Sequence, residues 1–186
     1  MLGELPSSLL INGREVQINT DFRYALIVMQ AFNDPELNIG EKIYVTIDTL
    51  IGMENIKPSE LEEAYKQCSW FLDGGRDFDE DKPNSPKLMD WEQDEQMIFS
   101  AVNDVARFET RAQEYIHWWT FLGYFNEIRE GLFSTVLMIR QKKKKGKKLE
   151  KYEQDFYFRN KEIVDLKTKY TKEEQEYIDR MNELLG

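Results

Sequence analysis

The chain is poor in the residues that usually build chemical sites. Its 186 residues include a single cysteine, Cys68, and a single histidine, His117. One cysteine excludes an intrachain disulfide, and one cysteine with one histidine cannot form a structural zinc site without carboxylate ligands. We therefore expect Cys68 to be an inert core thiol of a reduced, cytoplasmic protein.

Long apolar runs and an excess of positive charge are also absent. Polar residues interrupt every apolar stretch well before the ~18 residues of a membrane-spanning helix, and the N-terminus lacks the basic region of a signal peptide. With 25 Lys/Arg against 35 Asp/Glu, the net charge is −10. The phosphate groups of a nucleic acid repel a protein with a net negative charge. We expect neither a membrane nor a nucleic acid as a partner.

The charge is unevenly distributed along the chain. Residues 141–186 hold 13 Lys/Arg and 10 Asp/Glu, a net of +3, so residues 1–140 carry a net of −13. Seven of these lysines fall within residues 141–151. This run is most simply a solvated connection between helices; the alternative is electrostatic docking to an acidic partner, including the acidic half of another copy. The candidate docking residues are Lys142, Lys143, Lys144 and Lys145.

Apolar spacing predicts a mainly α protein, a multi-helix bundle with a short N-terminal β-hairpin. Asn12-Gly13 predicts the hairpin turn within residues 9–18, because both residues tolerate positive φ. The segment 40–51 is rich in β-branched residues, so a strand is the alternative there. The expected helices cover about 21–33, 40–51, 58–72, 90 to a break near 107–109, 110–128, the stretch after Gly131, the stretch after Leu149, and 173–185.

Four segments are expected to form one compact domain. They are a hairpin with helices (1–72), an acidic loop (73–89), an aromatic-rich helical core (90–170) and a C-terminal helical tail (171–186). The acidic loop does not match a calcium-binding loop, since Lys82 and Leu88 stand where glycine and glutamate are needed. The tail is only weakly apolar, and we expect it to detach or to dock on a partner.

The segment 115–125, YIHWWTFLGYF, concentrates the aromatic side chains. Inside the predicted helix 110–128 it is apolar nearly all round, so we expect it to be the spine of the core. Any part left exposed is the candidate partner-binding surface. The candidates are Trp118, Trp119, Phe121, Tyr124 and Phe125.

No catalytic constellation accompanies these aromatics. His117 has no second histidine or recognisable nucleophile beside it, so we expect it to pack or to form hydrogen bonds. The carboxylates of Asp90, Glu92, Asp94 and Glu95 lack the Glu-x-x-His motifs of a di-metal site, and we expect a solvated helix start. The sequence therefore predicts no catalytic, cofactor or metal site, and no enzyme.

A set of motifs runs in order along roughly residues 4–167. The motifs are the Leu-Pro hairpin ending in Asp21-Phe22-Arg23, Pro58, Glu63-Ala64, Trp70-Phe71-Leu72, Asp90-Trp91-Glu92-Gln93-Asp94, Tyr115 to Phe121, Ile139-Arg140 with its lysine tract, Asn160-Lys161 and Val164-Asp165-Leu166. In combination these motifs resemble the "gp-fifteen" family, encoded in the tail modules of long-tailed, non-contractile phages and their prophages.

The resemblance implies a tail assembly chaperone. Such a protein holds the helical tape-measure protein soluble in the host cell cytoplasm until tail-tube subunits polymerise around it, and it is absent from the finished virion. The implied partners are the tape-measure protein, then the major tail tube protein, with self-association as a further option. The alternative is a structural minor tail or connector component that stays in the virion.

Overall fold

The computed structural model describes residues 3–76 and 87–185. Within these ranges the chain is a helical bundle with a two-stranded antiparallel hairpin at its N-terminal end, as predicted. Residues 77–86, most of the predicted acidic loop, lie outside the described part. The elements are β1 (Ser8–Ile11), β2 (Arg14–Gln17), α1 (Phe22–Asn33), α2 (Ile39–Leu50), α3 (Leu61–Leu72), α4 (Glu95–Ala106), α5 (Trp118–Asn126), α6 (Leu132–Lys144), α7 (Lys151–Arg159), α8 (Lys161–Val164) and α9 (Lys172–Leu185), with single 3-10 turns at Met53–Asn55, Pro58–Glu60 and Thr110–Ala112.

The hairpin turns where the sequence predicts it. Asn12 and Gly13 have φ of 48° and 80°, the left-handed conformation that asparagine and glycine tolerate best. Leu9, Ile11 and Val16 face the interior and join the main core. Packing on the helices supplies the stability that an isolated two-stranded hairpin lacks.

Side-chain caps explain where the first two helices begin. The Asp21 carboxylate accepts a hydrogen bond from the Arg23 backbone N–H at 3.0 Å. Asn38 and Glu41 form a reciprocal capping box at the start of α2. This box decides for helix over strand in a segment rich in β-branched residues, because it satisfies two backbone N–H groups that a helix start leaves free.

The helix predicted over 110–128 begins later, at Trp118. The preceding backbone is extended and pairs with the start of α1: the Phe22 N–H donates to the Ile116 carbonyl at 2.9 Å, and the Trp118 N–H donates to the Thr20 carbonyl at 2.7 Å. His117 consequently caps α5 instead of lying inside it. Long-range backbone pairing has overridden the local helical spacing.

The helix predicted from Asp90 also begins later, at Glu95. A turn separates the two positions, and the Asp90 carboxylate accepts hydrogen bonds from the Glu92 and Gln93 N–H groups at 3.0 Å. At the other end, Arg107 adopts φ of 65° and terminates α4. The predicted break near 107–109 is therefore confirmed.

One hydrophobic core spans both sides of residues 77–86. It extends from Leu9 in the hairpin to Phe133 in α6. A smaller apolar cluster joins α6 to α8 through Val136, Ile139 and Val164. The hairpin and α1–α3 therefore share their interior with α4 and α5.

Helix α9 ends the described chain. Thr171 and Glu174 cap it reciprocally, with hydrogen bonds of 2.8 and 3.2 Å. Across the ranges that the structure covers, no helix combines the length and apolarity needed to cross a membrane.

Candidate functional site

Two tryptophans fasten α5 to the end of α3. The Trp118 indole N–H donates to the Leu72 carbonyl at 2.9 Å, and the Trp119 indole N–H donates to the Phe71 carbonyl at 2.8 Å. The last carbonyls of a helix have no partner within that helix, and the Trp118 indole supplies a donor for the Leu72 carbonyl. The Phe71 carbonyl accepts the Gly74 N–H at 3.2 Å as well as the Trp119 indole. We call Trp118, Trp119, Phe71 and Leu72 the aromatic clamp.

Gly75 makes room for the clamp. It has φ of +81°, and a Cβ at this position would come within 2.7 Å of the Trp119 ring. Both the left-handed conformation and the close approach of the indole favour glycine here. The glycine that follows the end of α3 therefore leaves space for the Trp119 ring.

His117 lies against the clamp with both ring nitrogens engaged. Nδ1 accepts the Trp119 backbone N–H at 3.0 Å. Nε2 therefore carries the proton and donates it to the Pro6 carbonyl at 2.9 Å. The side chain is buried, which confirms the predicted packing and hydrogen-bonding role.

The structure divides the five candidate aromatics. Trp118 and Phe121 are buried, and Phe121 stacks on Phe22 with ring centroids 4.5 Å apart. Burial removes these two from the candidate surface. Trp119, Tyr124 and Phe125 are partly buried against the core. Their binding to a partner stays a prediction.

A buried ion pair, absent from the sequence-based expectations, fastens α6. The Arg140 guanidinium holds both Asp94 oxygens, at 2.6 and 2.8 Å. Asp94 is 0% exposed and Arg140 is 4% exposed. The expectation of solvated carboxylates at this helix start is therefore wrong for Asp94, because the Arg140 side chain of α6 packs against it.

Every N–H of that guanidinium has an acceptor. Beside its two bonds to Asp94, Arg140 donates to the carbonyls of Val164 at 2.6 Å, Ile163 at 2.8 Å and Leu88 at 2.9 Å. A buried charge is tolerated when it is both paired and fully hydrogen-bonded. We call Arg140, Asp94 and these three carbonyls the arginine lock.

Asp90 is buried beside the lock and stays ionised. Burial by itself would raise the pKa of Asp90, but hydrogen bonds from the Lys87 ammonium and from the Gln93 and Glu92 N–H groups lower it to about 2. The Lys87 bond is 2.7 Å long. Asp90 is therefore a second carboxylate that was expected in solvent and is buried instead.

The lysine run is partly structural. Lys142 donates to both oxygens of the buried Glu153 at 2.6 and 2.8 Å; this hydrogen bond raises the pKa of Lys142 and lowers the pKa of Glu153. Lys143 pairs with Asp165. Lys143, Lys144 and Lys145 are exposed, so these three of the four candidate lysines fit the predicted solvated connection and Lys142 does not.

An open groove runs between α4 and the start of α6. Its volume is about 950 Å³. Leu132, 49% exposed, stands at its edge. We call it the α4–α6 groove, and its apolar lining consists of Met97, Ala101, Val105, Ile128, Leu132 and Phe133.

The rim of this groove is polar and largely neutralised by its own ion pairs. Arg107 pairs with Asp104 at 2.9 Å, and Arg129 pairs with Glu127 at 3.2 Å. An apolar floor with a polar rim is the arrangement that takes the apolar face of an amphipathic helix. The sequence did not reveal it, because two separate segments, 97–105 and 128–133, supply the floor and each shows ordinary core spacing.

Metal-binding geometry is not found in the described ranges, where no three His, Cys, Asp or Glu residues are grouped to hold an ion. The fold and groove define a small, mainly helical protein with an open groove between α4 and α6. A family model described as Bacteriophage Gp15 protein matches residues 1–166. The chain belongs to this family. No curated protein and no solved structure matches it.

Several of the motifs that carry the resemblance lie in the aromatic clamp and the arginine lock. Asp21-Phe22-Arg23, Trp70-Phe71-Leu72 and the 115–121 segment come together around the aromatic clamp, where the Asp21 carboxylate also accepts the Ile116 N–H at 3.0 Å. The Asp90 to Asp94 segment and Ile139-Arg140 come together in the arginine lock. The residues that carry the resemblance therefore hold the fold together.

Proposed function

We propose that this phage-family protein is a non-enzymatic tail assembly chaperone that binds the tape-measure protein during tail morphogenesis. The observation that carries the proposal is the α4–α6 groove, an open groove of about 950 Å³ with an apolar floor and a polar rim. Family membership supports the phage context. The resemblance described from the motifs supplies the tape-measure protein as the partner, with the major tail tube protein as a second.

The physical argument rests on what a tape-measure chain exposes. A long helix with apolar faces aggregates unless another surface covers it. The α4–α6 groove can cover a short stretch of such a face, since its floor follows one side of α4 through Met97, Ala101 and Val105. Many copies along one long partner give avidity even when each contact is weak.

The environment of His117 supports a binding role over a catalytic one. Both ring nitrogens bond to the backbone of the same chain, so neither is free to exchange a proton with a substrate. Arg140 and Asp94 of the arginine lock are likewise committed to each other. The proposed activity needs only surface complementarity.

Leu132→Glu tests the groove. Leu132 is the first residue of α6, where an acidic side chain suits the helix dipole, so the fold should persist while the groove gains a charge. Ile39→Glu is the matched control: Ile39 is the first residue of α2, is 65% exposed and lies outside the groove.

The readout is the soluble fraction of the tape-measure protein when the two proteins are co-expressed. We expect wild type and Ile39→Glu to raise that fraction and Leu132→Glu to lose most of the effect. No gain in solubility with the wild-type protein would reject the chaperone function. Equal activity of the two variants would reject the α4–α6 groove as the binding site for the tape-measure protein.

Purified virions give a second test. A chaperone acts in the host cytoplasm and leaves before the particle is complete, so mass spectrometry of virions should detect this protein far below the stoichiometry of tail proteins. Stoichiometric presence would favour the alternative, a structural minor tail or connector component.

A further inference from the structure

Helix α9 carries an apolar stripe that the described chain leaves uncovered. Tyr177, Met181 and Leu184 recur at helical spacing and are all exposed. The capping box of Thr171 and Glu174 sets the start of the helix locally. The helix also lies beyond residues 1–166, the part of the chain that the family model matches. It is therefore an addition to the family fold with an unpartnered face.

A second groove lies beside the N-terminal end of this helix, which we call its root. It has a volume of about 280 Å³ and separates α1 from α4. Ile27, 46% exposed, marks its open side. We call it the α1–α4 groove, and its apolar floor consists of Phe22, Leu26, Ile27, Trp91, Ile98 and Phe99.

The root of α9 is attached at one end of that groove. Lys169 Nζ lies 2.6 Å from a Glu92 oxygen, and Glu92 itself lines the groove. The Lys172 N–H donates to the Glu36 carboxylate in the turn after α1. The chain therefore enters α9 at the end of the groove where α1 finishes.

The lengths of the two helices match. The 14 residues of α9 span ~21 Å and the 12 residues of α1 span ~18 Å, at ~1.5 Å per residue. If α9 turns back antiparallel to α1 from its root, Met181 and Ile27 lie at about the same distance from that root. The stripe then runs along the groove.

We propose that α9 folds back on its own chain and binds the α1–α4 groove through its Tyr177, Met181 and Leu184 stripe. The tether favours the same chain over a second copy, because a short linker gives an effective concentration on the order of millimolar. The groove then accepts one amphipathic helix at a time, and α9 is the resident competitor of any partner helix. This proposal does not depend on the α4–α6 groove or on the proposed function.

A cysteine pair tests the closed arrangement. Ile27→Cys combined with Met181→Cys places thiols on the groove and on the stripe, at two exposed positions that do not endanger the fold. The control combines Ile27→Cys with Asp179→Cys, which lies ~160° around α9 from Met181. Burial raises the pKa of the native Cys68 thiol to about 12, so it does not compete for the oxidant.

The pairs are oxidised with copper–phenanthroline in the full-length protein and resolved on non-reducing gels with peptide mass spectrometry. We expect an intrachain disulfide in the Met181 pair, formed at least ~10-fold faster than in the Asp179 pair. Equal rates, or no disulfide, would overturn the proposal. Interchain disulfides that increase with protein concentration would show that a second copy fills the groove, which also overturns it.

Hydrogen exchange provides an independent measurement without new thiols. Ile27→Glu puts a charge on the groove floor and leaves α9 unchanged. We expect the α9 amides to exchange several-fold faster in this variant than in the wild-type protein, because an undocked helix frays. Unchanged exchange would mean that α9 does not use the groove.

Discussion

Helices α5 and α6 are each held by a buried side chain whose N–H groups reach main-chain carbonyls, but the chemistry differs. In the aromatic clamp, the neutral indoles of Trp118 and Trp119 each donate one hydrogen bond and bury a large apolar ring. In the arginine lock, a charged guanidinium donates five hydrogen bonds and needs the Asp94 carboxylate beside it.

This difference predicts how much stability is lost when the donor side chain of the clamp or of the lock is removed. Removing the Trp118 indole loses apolar burial and the hydrogen bond to the Leu72 carbonyl. Removing the guanidinium leaves three carbonyls without their donor and the buried Asp94 carboxylate without its counter-charge, although that carboxylate keeps the Asp90 N–H. A buried charge without a counter-charge is the costlier defect. The lock should therefore be more sensitive to substitution than the clamp, although the clamp lies in the larger core.

Arg140→Met should have the largest effect. We expect a loss of about 3–5 kcal/mol in the free energy of unfolding, because Asp94 remains buried without its counter-charge. Urea titration followed by far-UV circular dichroism measures it. Arg129→Met is the control: its side chain is 84% exposed, and its ion pair should contribute less than ~1 kcal/mol. A loss below ~1 kcal/mol for Arg140→Met would contradict the claim that the arginine lock stabilises the fold.

Trp118→Phe should cost less, roughly 1–3 kcal/mol by the same titration. The substitution keeps an aromatic ring but removes the N–H that reaches the Leu72 carbonyl at 2.9 Å. If this variant were destabilised more than Arg140→Met, the ranking of clamp and lock would be reversed.

Asp90→Asn tests the charge next to the lock. The folded pKa of Asp90, about 2, lies below its ordinary value of 3.8. Its stabilising contribution is therefore present above the ordinary value and is lost as the pH falls through about 2. Between pH 5 and pH 2, we expect the wild-type protein to lose roughly 2 kcal/mol more than the variant. Parallel pH profiles of stability would contradict this.

Gly75→Ala should cause the smallest loss of stability among these variants. Gly146→Ala is matched to it, since Gly146 also has positive φ, of +63°, but a Cβ added there would have no neighbouring atom within 4 Å. Both changes carry the conformational penalty, and only Gly75→Ala also meets the Trp119 ring. We expect Gly75→Ala to lose ~1 kcal/mol more in thermal unfolding than Gly146→Ala. Equal losses would mean that Trp119 moves aside freely.

Local signals predicted most of the elements correctly. The Asn12-Gly13 turn and the break at Arg107 depend on neighbouring residues alone, and both are present. The start of α5 was misplaced because residues 116–118 pair with residues 20–22, nearly a hundred residues earlier. Helical spacing carries no information about such a partner.

The candidate sites were harder to predict for the same reason. Lys142 and Asp94 read as solvated charges, yet each meets a buried partner from a distant part of the chain, Glu153 and Arg140. The α4–α6 groove could not be foreseen because its floor comes from two separate segments that the fold brings together. Partner binding by Trp119, Tyr124 and Phe125 stays a prediction.

The sequence by itself determined the helical class, the hairpin, the inert Cys68 and the structural role of the 115–125 segment. These follow from periodicity, turn chemistry and composition, which act over a few residues. Only the tertiary structure decided which tryptophan is buried, which carboxylate is desolvated and where an apolar groove stays open. Burial depends on what the rest of the chain places against a residue, and that is a property of the packed fold.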